Sequence, residues 1–241
     1  MSLENLERLN QQGFLVVKSA IPLPYIDALK CDYQNLKSSD KRGGIRNAEK
    51  VLASVKGVVT SAEVVRLLEQ YMPKRSNNTE HQLCDTEPTL VRAILFDKTP
   101  QQNWLVAWHQ DKTVCVTHKK DLTGWGPWSL KGRVIHVQPP LPVLEQQLAL
   151  RIHLDAANLE NGCLKILPAS HRAGLIDERK IPDMNKEHAV ACEAEVGDVL
   201  LMKPHVLHAS SKAQKPASRR VLHLEFSTYR LPEGMVWAAK I

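Results

Sequence analysis

The chain has 241 residues, 43% of them apolar and 24% charged, a globular composition that excludes disorder and leaves enough chain to bury a core. Lysine and arginine number 32 against 26 aspartate and glutamate, a formal net charge of +6; this favours an anionic partner without selecting one. No apolar run reaches the roughly 18 residues of a membrane-spanning helix, and Met1-Ser2-Leu3-Glu4 lacks the basic and apolar regions of a secretion signal, so a cytoplasmic location with no membrane partner is expected.

Ser2 is placed to cap a short helix in which Leu3, Leu6 and Leu9 recur and which stops at Gly13. Phe14-Leu15-Val16-Val17 then reads as a strand. After Pro22 and Pro24, the residues Tyr25, Ile26, Leu29, Tyr33 and Leu36 fall on one helical stripe. A further helix follows Ser61, with Val64, Val65, Leu67, Leu68 and Tyr71 apolar and Glu63 in its first turn. From about residue 89 the period changes. Short β-like runs cover Leu90 to Phe96, Trp104 to Trp108, Leu148 to Asp155, Cys163 to Leu167, Val199 to Met202 and Val221 to Thr228.

Helices followed by many strands predict an α+β, mainly β chain whose second part is a closed or double-layered β structure. No linker divides the chain, so one domain over 1–241 is expected, helical to about 88 and a β core from about 89 to 230. Cys115 to Pro142, rich in Gly and Pro, is too long for a passive connection and predicts a lid or binding loop. The cysteines Cys31, Cys84, Cys115, Cys163 and Cys192 form no Cys-x-x-Cys pair, so neither a disulfide framework nor a thiolate zinc site is indicated.

In Trp108-His109-Gln110-Asp111 an imidazole and a carboxylate lie two residues apart, and at strand periodicity both leave the same face. Together with a distant second imidazole they would make the facial triad of non-haem Fe(II) oxygenases, which leaves metal positions open for co-substrate and oxygen. His208, just past the apolar run Val199 to Met202, is placed to supply it, with His205 and His223 as competitors. Arg219 and Arg220 open the next strand. A guanidinium facing into a barrel is a bidentate clamp for a carboxylate, and alternation groups Arg219 with Val221, His223 and Glu225, the side compatible with facing the site.

Three motifs in this order, Trp108 to Asp111, Asn161-Gly162-Cys163-Leu164-Lys165-Ile166-Leu167-Pro168-Ala169-Ser170-His171, and His208-Ala209-Ser210 followed by Arg219, resemble the phytanoyl-CoA dioxygenase family of Fe(II)/2-oxoglutarate oxygenases. Ala169 stands where the family usually has Gly. The resemblance implies a double-stranded β-helix, or jelly roll, with Fe(II), 2-oxoglutarate and O2 as cofactor and co-substrates. It implies His109, Asp111 and His208 as iron ligands, Arg219 as the partner of the 2-oxoglutarate C5 carboxylate, Ser210 assisting it, and Gln110 near the co-substrate. It also implies hydroxylation, or another oxidation, of a small molecule with release of succinate and CO2. Arg92, on the strand Leu90-Val91-Arg92-Ala93, is a further co-substrate candidate.

Leu148 to Asp155 alternates strictly, with Leu148, Leu150, Ile152 and Leu154 on one face and Arg151, His153 and Asp155 on the other. If the polar face lines the barrel, Arg151 and His153 are substrate contacts and the substrate carries an anionic group. Lys131, Arg133 and His136 on the long loop are weaker candidates. Two other readings compete. A non-catalytic jelly-roll binding or sensing protein would have no physical need for His109, Asp111, His208 and Arg219 together. A nucleic-acid partner is disfavoured by 5% aromatic content and the lack of a binding motif.

Overall fold

A computed structural model describes residues 3–36, 44–72, 87–215 and 218–239; Ser2 and Cys84 lie outside the described residues. The first part contains α1 (Leu3–Gln12), β1 (Phe14–Val17), α2 (Leu23–Gln34), β2 (Ile45–Arg46), α3 (Ala48–Val51), α4 (Ala53–Val59) and α5 (Ala62–Tyr71). Then come β3 (Thr89–Lys98), β4 (Val106–His109), β5 (Val114–Val116), β6 (Trp128–Lys131), β7 (Val134–Val137), α6 (Leu141–Glu145) and β8 (Gln147–His153). The last part holds β9 (Leu164–Ile166), β10 (Val190–Cys192), β11 (Val199–Met202), β12 (His208–Ser210) and β13 (Arg219–Ser227).

Antiparallel pairing builds a six-stranded sheet in the order β1-β11-β8-β13-β3-β2 and a four-stranded sheet in the order β10-β9-β12-β4, the two layers of a jelly roll. The first part is therefore more than a helical cover, because β1 and β2 are the two edges of the larger sheet. Gly13 makes the tight passage from α1 into β1 at a positive φ of 85°. A side chain there would also meet His171 Nδ1 at 2.5 Å, so glycine is required twice over.

The two faces of the larger sheet have different neighbours. On its outer face Leu148, Leu150, Ile152, Leu154, Leu222, Leu224 and Phe226 form one core with Leu9, Ile26, Leu29, Val55 and Leu68 of the helices. The helical stripes read from the sequence are narrower than expected: Leu3 is 82% exposed and Val65 42%. Ser61 does cap α5, its hydroxyl accepting from the Val64 N–H at 3.3 Å. On the inner face Phe14, Ala149, Leu200 and Met202 pack against Leu164 and Ile166 of the smaller sheet.

The stretch from Cys115 to Pro142 differs from expectation. Instead of a loop without secondary structure, it carries most of a third sheet, in the order β5-β7-β6. Its Val114, Val116 and Val137 are buried with Val91 and Trp237, and the run Val134-Ile135-His136-Val137 was too short and too close to Gly132 and the prolines to stand out. His136, read as a loop candidate, is buried beside Cys115, with Sγ 3.6 Å from both ring nitrogens. Cys31, Cys115, Cys163 and Cys192 are free thiols, all but Cys31 buried. Among the described residues no helix is long and apolar enough to cross a membrane.

Candidate metal centre

His109 ends β4 and His208 opens β12, and the antiparallel register sets them directly opposite one another, with ring centroids 4.2 Å apart. Asp111 follows β4 and is fixed by its own N–H donating to Pro204 O at 2.9 Å. One ligand atom from each of His109, Asp111 and His208 lies within 4.8 Å of the others. Asp111 oxygens lie 3.8 Å from His109 Nε2 and 3.5 Å from His208 Nε2.

The other ring nitrogens settle the tautomers. His109 Nδ1 is 2.8 Å from Ala107 O and His208 Nδ1 is 2.9 Å from Val206 O. A carbonyl accepts only from N–H, so both Nδ1 atoms carry the proton and both Nε2 lone pairs face Asp111. Burial pushes the His208 imidazole down to about 4 despite the Asp111 carboxylate beside it. Burial also opposes ionisation of Asp111, but His208, His223, His109 and Arg92 outweigh it and hold the carboxyl well below its ordinary range. Two imidazoles and one carboxylate are thus presented together, a donor set that fits a divalent transition metal with coordination positions to spare.

The competing histidines go elsewhere. His205 is buried in an edge-to-face contact with His171, ring centroids 5.8 Å apart. His223 lies within reach of Asp111, but its nitrogens are taken up by Arg151 Nη1 at 3.2 Å and Glu225 Oε1 at 2.9 Å.

Alternation on β13 turns Arg219 to the inner face, where it is 5% exposed. Its cross-strand partner on β3 is Lys98, only 1% exposed. Lys98 Nζ donates to Ser210 Oγ at 2.9 Å and to Ser211 O at 2.6 Å, and Ser210 Oγ donates to Gly162 O at 2.9 Å. A side chain at Gly162 would lie 2.6 Å from Ser211 O and 3.2 Å from Lys98 Nζ, so this glycine keeps the pocket open. Burial, with Arg219 alongside, pushes the Lys98 ammonium down to about 8, and Arg219 Nε is buried without a hydrogen-bond partner. Two buried cations and a hydroxyl with no carboxylate bonded to Arg219 Nε or Lys98 Nζ make a receptor for an external carboxylate.

Lys98 lies beyond the apolar run Leu90 to Phe96, and only the alternation of Arg92, Ile94, Phe96 and Lys98 along β3 marks it as an inward residue. Arg220 takes the other face, bonded to Asp155 through Nε at 2.7 Å and Nη2 at 2.8 Å. Asp155 therefore does not share a face with Arg151 and His153 as the alternation implied, because β8 ends at His153 and the chain turns.

Gln110 and Arg92 both line the cavity of the metal ligands and are both held by protein partners. The Gln110 amide donates to Gly174 O at 2.8 Å and His205 O at 2.6 Å and accepts from the Ile176 N–H at 2.8 Å. It ties the segment after His171 to β4 and has no amide hydrogen left for a co-substrate. Arg92 faces inward as expected, but is bonded to Glu225 Oε2 at 2.7 and 3.1 Å and to Thr113 O at 2.6 Å. Arg151 and His153 are on the inner face, 8% and 2% exposed. Burial, with Arg151 and Arg219 nearby, pushes His153 down to about 3, and neither of its nitrogens has a hydrogen-bond partner.

A cavity of about 1390 Å³ reaches from Arg92, His109, Asp111 and Ser210 to a mouth lined by Leu105, Trp108, Trp128, Leu159, Lys131 and Lys165. The third sheet supplies Trp128 and Lys131, so the Cys115 to Pro142 stretch does border the opening.

The fold is shared with structures solved with 2-oxoglutarate bound. EctD from S. alaskensis, with 2-oxoglutarate and 5-hydroxyectoine, superposes with a TM-score of 0.67 at 16% identity over 96% of this chain and 78% of that one. HygX from Streptomyces hygroscopicus, with nickel and 2-oxoglutarate, gives 0.63 at 12% identity over 94% and 86%. Among curated proteins, a phytanoyl-CoA dioxygenase domain-containing protein 1 homolog of Dictyostelium discoideum is 33% identical over 95 residues, 32% of this chain and 34% of its own length. A methylphosphonate hydroxylase of Gimesia maris is 30% identical over 101 residues, 40% of this chain and 38% of its own. The chain thus spans little more than a third of the length of these relatives. The model of the phytanoyl-CoA dioxygenase (PhyH) family matches residues 9–221, a span that takes in His109, Asp111, His208 and Arg219, and the chain belongs to that family.

Proposed function

We propose that the protein is an Fe(II)- and 2-oxoglutarate-dependent dioxygenase that hydroxylates a small molecule. The observation that carries the reading is the pairing of two sites: His109, Asp111 and His208 with their lone pairs converging, and Arg219 with Lys98 and Ser210, buried cations awaiting a carboxylate. One end of 2-oxoglutarate suits the metal and the other suits the clamp. The family and the neighbours solved with 2-oxoglutarate support it.

In this reading His109, Asp111 and His208 hold Fe(II), and their backbone hydrogen bonds fix the ligand directions before metal arrives. When bound, the metal supplies the redox chemistry that couples decarboxylation of 2-oxoglutarate, giving succinate and CO2, to oxidation of the substrate by O2. Arg219, Lys98 and Ser210 orient the co-substrate by its far carboxylate. Trp108, Trp128, Leu105 and Leu159 exclude water from the mouth. Asp111 keeps the carboxylate ligand that halide-binding relatives lack, which supports hydroxylation over halogenation. An anionic substrate suits the lysines at the mouth, and the relative named for methylphosphonate suggests a small oxyanion as the first compound to try.

The test is succinate release from 2-oxoglutarate with Fe(II) under air, over a panel of small anions headed by methylphosphonate. Stimulation by one compound, lost in His208→Ala, is the expected result. Absence of both metal and 2-oxoglutarate binding would instead select a non-catalytic jelly-roll protein.

A further inference from the structure

The inner face of the six-stranded sheet holds more positive charge than the proposed reaction uses. Arg92, Lys98, Arg151 and Arg219 stand there against Glu225, with Asp111 at the metal ligands. Arg92 is neutralised by Glu225. Fe(II) and the 2-oxoglutarate dianion cancel one another, so the loaded site keeps two positive charges without a counter-ion, a costly state for buried groups.

Arg151 is the cation without a role. Its Nη1 meets His223 Nδ1 at 3.2 Å, its guanidinium lies 5.6 Å from the Phe96 ring centroid, and its buried Nε has no hydrogen-bond partner. A guanidinium only donates, so His223 Nδ1 must accept, and the ring proton sits on Nε2, which donates to Glu225 Oε1 at 2.9 Å. Glu225 Oε2 in turn accepts from Arg92, and Arg92 donates to Thr113 O. Every link has one direction, and the chain fixes one edge of the Arg151 guanidinium while leaving Nε free. Arg151 is the cross-strand partner of His223, which offers a ligand atom within 4.8 Å of an Asp111 oxygen, so Arg151 lies near the metal ligands on the face of the sheet that also carries Arg219.

We propose that Arg151, braced by His223, Glu225 and Arg92, is a second anion-binding group of the barrel that takes an oxyanion of a molecule bound beside the metal. The inference rests on the dioxygenase reading for its charge count, and deepens it by naming the residue and the chemistry recognised. The oxyanion has two sources, the carboxylate of 2-oxoglutarate next to its oxo group or an anionic group of the primary substrate.

The experiment uses the full chain loaded with Mn(II), which is redox-silent, and calorimetry on wild type, Arg151→Gln and Arg151→Lys. One arm titrates 2-oxoglutarate; the other titrates inorganic phosphate into protein saturated with 2-oxoglutarate. A loss of at least about tenfold in 2-oxoglutarate affinity in Arg151→Gln, with phosphate unaffected, assigns the oxyanion to the co-substrate. The same loss in the phosphate arm alone assigns it to the substrate. Arg151→Lys, which keeps the charge but not the planar fork, should fall between. His223→Phe should weaken the affected ligand in wild type and have no further effect in Arg151→Gln, a coupling that general loosening of the fold would not produce. Affinities within about twofold of wild type in both arms overturn the proposal. If wild type binds no 2-oxoglutarate, the dioxygenase reading fails, and phosphate added to the Mn(II)-loaded protein alone still decides whether Arg151 binds an oxyanion.

Discussion

The two faces of the six-stranded sheet treat their buried polar groups in opposite ways. On the outer face Asp97 accepts from Tyr33 Oη at 2.7 Å and Ser218 Oγ at 2.9 Å, and Arg220 is held in a bidentate pair by Asp155; most of the rest is apolar core. On the inner face Arg151 Nε, Arg219 Nε and both His153 nitrogens are buried with no partner. Leaving such groups unsatisfied costs about 1 to 3 kcal/mol each, so the outer face is organised for stability and the inner face for something that arrives later. A single strand such as β13 serves both purposes through its alternation.

The largest effect expected from breaking this contrast is at the metal centre. His109→Ala, Asp111→Ala and His208→Ala should each lower succinate formation by about a thousandfold or more, since a site with two protein ligands holds Fe(II) poorly. His205→Ala, which touches none of the three, should retain most of the activity; the opposite order for His205 and His208 would overturn the ligand assignment. Next come neighbouring positions on β13. Arg219→Ala should weaken 2-oxoglutarate binding by about 2 to 5 kcal/mol while sparing metal affinity, whereas Leu222→Ala should cost about 2 to 5 kcal/mol of folding stability and leave the dissociation constant of 2-oxoglutarate unchanged. Calorimetry and denaturant titration on the two variants read these separately, and equal effects on both quantities would erase the distinction between the faces.

Much of this was legible in the sequence for a physical reason. Phe14 to Val17 and Val199 to Met202 match their strands residue for residue, because continuous apolar runs bounded by turn residues have one sensible reading. Alternation separated Arg219 from Arg220, and Arg151 and His153 from Leu150 and Ile152, since strand parity needs no knowledge of the partner strand. What the sequence leaves open depends on tertiary contacts. Gln110 is bonded to backbone brought in from residues 174, 176 and 205, and Arg92 to a carboxylate 133 positions away. Neither pairing leaves a local trace. Lys98 was missed because a lysine after Phe96-Asp97 looks like a strand end, when it is the last inward residue of β3.

Lys98 sharpens the comparison through pH. Its ammonium, pushed down to about 8 by burial and by Arg219, is charged below that pH and neutral above it. The carboxylate clamp should therefore lose one of its two cations as pH rises. The dissociation constant of 2-oxoglutarate for Mn(II)-loaded protein should hold steady from pH 6.5 to about 7.5 and then increase by at most about tenfold per unit. Lys98→Arg, which stays charged, should flatten the rise. A profile equally steep in both proteins would show that Lys98 does not bear on the co-substrate.

The smallest effect concerns His153, the inner-face group with no partner on either nitrogen. Its folded-state value is pushed down to about 3 by burial and by Arg151 and Arg219, while in an unfolded chain it titrates near 6.5. Between these values the unfolded chain binds a proton that the folded chain refuses, so stability rises with pH across this window and is lost as pH falls below about 6.5. At pH 5 the loss from this one residue amounts to at most about 2 kcal/mol, or a few degrees in Tm for a chain of this size. His136, His205 and His208 are also pushed down, each to about 4, and add to the acid slope in the same direction. His153→Asn keeps a polar side chain that does not titrate in this range, so its Tm should fall less than that of wild type between pH 7 and pH 5, with metal removed from both. The substitution leaves the outer face untouched, and Arg220 with Asp155 provides the internal control: Asp155, held below its ordinary range against the cost of burial by its bonds to Arg220, contributes stability that is lost only as the carboxylate itself protonates in stronger acid. An identical acid slope in wild type and His153→Asn would mean that His153 is protonated in the folded chain, and that the inner face holds an anion near it even without added ligand.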